Sequence, residues 1–73
     1  MNTVSKKMSL KAARVNAGYS QTKAAALVGV GKQTISNWET GKTRIDADSF
    51  MRLCGIYETP PQDIFLPGNL TES

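Results

Sequence analysis

Two short helical patterns separated only by Gly29-Val30-Gly31 constrain this chain more than any other feature of its sequence. Helices joined so tightly must cross, and the residues at the crossing must suit it. Ala25 is small where the second helix passes close to the first. Gly29 can take the positive φ that stops a helix sharply. Val28, Val30, Ile35 and Trp38 supply an apolar filling between the two segments.

Gly18, Gly29, Gly41 and the Pro60-Pro61 pair cut the remainder into equally short pieces. No piece alternates like a strand beside a hairpin signal, so the periodicity predicts five short helices and an all-α fold. The first spans about Leu10 to Ala17, capped by Ser9 and stopped before Gly18. Ser20 caps the second, Gln21 to Val28, which turns Ala24, Ala25 and Val28 inward and Thr22, Lys23 and Ala26 outward. The third runs from Lys32 to Thr40. The fourth begins after Asp46 and buries Phe50, Leu53, Cys54 and Tyr57, with Gly55 weakening its last turn by about 1 kcal/mol relative to Ala. The fifth is expected over Pro61 to Phe65, with proline in a first turn that tolerates its missing N–H. A chain of 73 residues holds a single domain, placed here at residues 9–66. Residues 1–8 are expected to form a flexible arm and 67–73 a flexible tail.

Charge is unevenly spread along the chain. Residues 1–44 carry Lys6, Lys7, Lys11, Arg14, Lys23, Lys32, Lys42 and Arg44 against one acid, Glu39, a net of +7. Residues 45–73 carry Arg52 against Asp46, Asp48, Glu58, Asp63 and Glu72, a net of −4. The first part therefore suits a polyanion and the second does not.

The third helix, which taken alone would read as an ordinary amphipathic surface helix, offers that polyanion a face. At about 100° per residue, Ile35 and Trp38 share one side, while Lys32, Gln33, Ser36 and Asn37 share the other. An ordinary solvated face collects Glu and Lys in i,i+4 pairs. This one collects amides, whose oxygen and NH2 can bond adenine N6 and N7 together, and a lysine that can donate to guanine O6 or N7. Gln33 and Asn37 lie one turn apart on that face.

Other chemistries fit poorly. There is no histidine and one cysteine, and the carboxylates are not clustered, so neither a metal site nor a catalytic constellation can be assembled. The GK pairs at Gly31-Lys32 and Gly41-Lys42 lack the earlier glycine of a phosphate-binding loop, since Ala26 and Ser36 stand in its place, and neither follows a strand. No enzymatic activity, cofactor or small-molecule ligand is expected. The polar start and the lack of an apolar run argue against a signal peptide or membrane span, and the lone Cys54 suits a reducing compartment. The expected setting is the cytoplasm.

From Gln21 the chain reads QTKAAALVGVGKQTISNWETGK, and with the first helix, the GKTR segment and the closing DIF it resembles the Cro/CI-type helix-turn-helix domains of phage repressors and bacterial regulators. The resemblance covers about Leu10 to Phe65. It implies a compact five-helix, lambda-repressor-like fold and sequence-specific binding to double-stranded DNA, with the third helix in the major groove. It also implies residue roles. Lys32, Gln33 and Asn37 match base-reading positions, with Ser36 near the backbone or a base edge. Gln21 matches a phosphate-contacting glutamine, and Lys42, Thr43 and Arg44 match a loop on the sugar-phosphate backbone. Arg14 and Glu39 match an ion pair joining the first helix to the end of the third. One such helix covers too few base pairs to single out a site, so a homodimer on a palindromic operator is expected; the resemblance puts its contact near the C-terminal side, where the apolar Phe65 and Leu66 are the candidates. The chain departs from the pattern at Gly31, where a capping Ser or Thr is frequent, at Ile45, where proline is frequent, and at Ala24, where a larger apolar residue is common. A rival reading, a helix-turn-helix kept for docking another protein, would call for an apolar or acidic face on the third helix.

Overall fold

Ser9, Ser20 and Asp46 each accept a hydrogen bond at 3.0 Å from the backbone N–H three residues ahead. Each thereby satisfies one of the orphan donors at a helix start. The computed structural model describes residues 7–67. Behind those caps run α1 (Leu10–Asn16), α2 (Gln21–Val28) and α4 (Ala47–Tyr57), while α3 (Lys32–Thr40) starts after Gly31 without a side-chain cap. Gly29 closes α2 at φ 88° and Gly41 closes α3 at φ 83°, left-handed conformations that a β-carbon resists.

α2 and α3 pack on each other, and Ala24, Ala25, Ile35 and Trp38 are all buried in the core they share. Leu10 and Ala13 of α1 and Leu53, Cys54 and Tyr57 of α4 complete one apolar cluster with Ile45 and Ile64. Val28, Val30 and Phe50 pack half-buried at its edge. Ile45 is thus part of the core. Cys54 is a buried thiol whose pKa is raised by desolvation, a small core hydrophobe and nothing more. α4 runs through the exposed Gly55 and ends at Glu58.

Among the described residues there are four α-helices, and the fifth expected over Pro61 to Phe65 does not form. Pro61–Asp63 make one 3-10 turn, closed by a 2.9 Å bond from the Asp63 N–H to the Pro60 carbonyl. A first turn tolerates both prolines, but a segment of five residues is too short to hold a helix by itself, and Ile64 and Phe65 extend instead. The chain then extends as β2 (Ile64–Phe65) and pairs in parallel with β1 (Met8–Ser9), Met8 opposite Ile64 and Ser9 opposite Phe65. Among the described residues the fold is helical but for this two-residue ladder. Extension buries Ile64 and leaves Phe65 on the outside. The arm and tail expected at residues 1–8 and 67–73 lie outside the described residues except for Lys7, Met8 and Pro67; Met8 is held in β1. Among the described residues no helix is long and apolar enough to cross a membrane.

Candidate nucleic-acid interface

α3 presents its residues in two sets. Ile35 and Trp38 are buried, at 1% and 7% exposure. Lys32 and Gln33 are exposed, and Ser36 and Asn37 are half-buried on the same outward side. The two amides touch each other: Gln33 Nε2 donates to Asn37 Oδ1 at 3.1 Å. Gly31 lies extended at φ −84°, ψ 160°, and supplies no side-chain oxygen to the helix start.

The end of α3 shapes the loop after it. The Asn37 carbonyl accepts from the Lys42 N–H at 2.9 Å and the Thr43 N–H at 3.3 Å. That closure turns the chain back beside the last turn, so Lys42, Thr43 and Arg44 stand exposed next to α3. Two features favour glycine at position 41. Its φ is 83°, and a β-carbon there would meet Pro67 Cβ at 3.1 Å.

A charged network sits beneath this surface. Arg14 Nε donates to Glu39 Oε2 at 2.7 Å and Nη2 to Oε1 at 3.3 Å, with side-chain exposures of 9% and 5%. Arg14 Nη1 donates to the Tyr19 carbonyl at 2.8 Å, and Gln21 Nε2 donates to Glu39 Oε1 at 3.0 Å. These bonds join α1, the α1–α2 turn, the start of α2 and the end of α3. The one acid of the basic part of the chain is neutralised and turned inward. Tyr57 lies below, its ring 6.2 Å from that of Tyr19. Burial, reinforced by the Glu39 charge, pushes its phenol up to about 12.

The structure brings together Arg14 and Glu39, and it sets Lys32, Gln33, Ser36 and Asn37 on one face beside Lys42, Thr43 and Arg44. It places Gln21 differently from a side chain reaching freely into solvent, because one of its amide hydrogens is held by Glu39. It separates Phe65, half-exposed, from Leu66, which packs against the core beside Trp38 and Ile45. The Tyr19 carbonyl and Gln21 were not legible as members of the ion-pair network. A backbone acceptor and a neutral amide carry no charge pattern to reveal them. Among the described residues no cluster of His, Cys, Asp or Glu could hold a metal ion.

A family model described as Helix-turn-helix matches residues 10–64, from the first residue of α1 into β2. No curated protein and no solved structure matches the chain.

Proposed function

This chain belongs to the Cro/CI-type helix-turn-helix family, whose members bind DNA, and from that premise we propose that it is a cytoplasmic transcription regulator, a repressor of phage or mobile-element type. α3 lies in the major groove. Lys32, Gln33 and Asn37 read base edges, Ser36 stands at a base edge or the backbone, and Lys42, Thr43 and Arg44 grip the sugar-phosphate backbone. Gln21 keeps one Nε2 hydrogen for a phosphate while Glu39 holds the other. The operator is palindromic and is bound by two copies of the chain.

The observation that carries this reading is the composition of the outward face of α3. It offers a lysine and two amides and no acid, beside a loop with two cations, while Glu39 is buried on Arg14. A docking surface for another protein would bury apolar side chains at its centre, and α3 turns its apolar side chains into the core.

Binding is tested by mutation on two kinds of DNA. Gln33→Ala is expected to weaken the preferred site by about 1–3 kcal/mol and leave random DNA nearly unaffected. Lys42→Ala or Arg44→Ala is expected to weaken both alike and to flatten the salt dependence by about one counterion per lost contact. Equal losses on both DNAs for Gln33→Ala would overturn the base-reading role. An unchanged salt slope for the loop variants would remove the loop from the backbone.

A further inference from the structure

We propose that Gln33 and Asn37 act as one reading unit, in which Asn37 makes Gln33 selective for adenine over guanine. The inference rests on the base-reading role proposed above and adds what sets the base.

An unrestrained glutamine amide carries two N–H donors and one carbonyl acceptor. With one donor and the acceptor it matches adenine, which offers N7 as acceptor and N6–H as donor. With both donors it can equally serve guanine, whose O6 and N7 are both acceptors. Its preference is therefore weak so long as both hydrogens are available. In this protein they are not. Asn37 Oδ1 takes one Gln33 Nε2 hydrogen at 3.1 Å, across one turn of a single helix. What Gln33 has left is one donor and one acceptor, in a fixed order. That set pairs with adenine in full and with guanine only in part, since its carbonyl would then face O6, oxygen against oxygen.

With Asn37 Oδ1 as the acceptor, Nε2 points toward Asn37 and Oε1 points away, and flipping the Gln33 amide alone would set its oxygen against Oδ1. Water competes for this pair on the free protein. In a groove that excludes water, the alternative to the bond is an unsatisfied polar group, and the pairing tightens. Asn37 is thus a positioning residue for the base that Gln33 reads, in addition to whatever its own NH2 contacts.

The test is selection of the preferred site from a random duplex pool with the wild-type chain, Gln33→Ala, Asn37→Ala and Asn37→Asp, followed by affinities for adenine and guanine at the base that Gln33→Ala ceases to discriminate. The wild type should favour adenine there by about tenfold or more, the discrimination of one good bidentate contact. Asn37→Ala frees the second hydrogen, and the ratio should fall to about threefold or less. Asn37→Asp keeps the acceptor, so the ratio should persist even though its added charge weakens every sequence. Thermal melting of each variant separates these effects from loss of fold. A ratio unchanged in Asn37→Ala, or a wild-type preference for guanine at that base, would overturn the inference while leaving base reading intact. If the wild type enriches no sequence at all, the base-reading role itself is overturned, and this inference with it.

Discussion

Glu58 ends α4 at φ 55°, ψ 42°, the one non-glycine residue with positive φ among those described. A β-carbon in that region costs roughly 1–2 kcal/mol, and glycine escapes the cost at the expense of a floppier unfolded chain. Glu58→Gly is therefore expected to raise stability by about 0.5–1 kcal/mol and Glu58→Ala to gain nothing comparable. Thermal melting decides it, and a lower midpoint for the glycine variant would show that the turn is unstrained. Tyr57, beside it in sequence, makes a second prediction. Its phenol titrates near 12 in the folded chain against the ordinary 10, so folding favours the protonated form. The sign comes from linkage: the contribution is full below pH 10 and is lost as pH rises toward 12. Wild-type stability should accordingly fall more steeply than that of Tyr57→Phe over this window. Parallel curves would mean that Tyr57 titrates alike in both states.

At the scale of elements, what could be read from the sequence was what local chemistry decides. α2 and α3 keep the bounds expected of them because each boundary has its own residue, Ser20, Gly29, Gly31 or Gly41, with a conformational or capping reason to be there. The fifth helix failed where the deciding partner was remote. Ile64 extends to pair with Met8, and nothing near either residue announces that ladder. The face of α3 was legible by periodicity, whereas the hold of Glu39 on Gln21 depends on how α2 and α3 cross. The joint between elements yields the third prediction. The Arg14–Glu39 pair links α1 to the end of α3 with both side chains nearly inaccessible. Removing one partner leaves a buried charge without its counterion, so Glu39→Ala should destabilise by about 1–3 kcal/mol, more than a surface change. By contrast, the exposed Asp48–Arg52 pair on α4 should be worth only a few tenths of that unit. Arg14→Ala with Glu39→Ala should recover part of the loss in a denaturant-melt cycle. Strict additivity would show that the two side chains do not interact.

At the scale of the whole molecule, charge divides the chain into a basic and an acidic part. The basic part contains α2, α3 and the Lys42–Arg44 loop, while the acidic part, net −4 over residues 45–73, contains α4 and β2. A single recognition helix covers only a few base pairs, too little to single out one site in a genome. Two copies related by a two-fold axis double the contacts and set their recognition helices about 34 Å apart, one turn of B-DNA. In the proposed dimer the pairing surface falls on the acidic side, where β2 leaves Phe65 at 50% exposure. The apolar end of the expected fifth helix offers Phe65 and Leu66 together for this role, but the strand divides them. Leu66 faces Trp38 and Ile45, so altering it would damage the monomer core and give no clean answer. Phe65 can be changed at little expected cost to the fold, and Phe65→Ser adds no charge that would alter DNA affinity by itself. An interface centred on one such side chain is small, so the free protein should be mainly monomeric and pair on the operator. Sedimentation with an isolated palindromic site is expected to give two wild-type chains per duplex, bound cooperatively. Phe65→Ser should abolish the cooperativity while binding to a half-site stays within about twofold, since rim and interface-distant contacts change little. Saturation by one chain, or undiminished cooperativity in Phe65→Ser, would rule out this dimer.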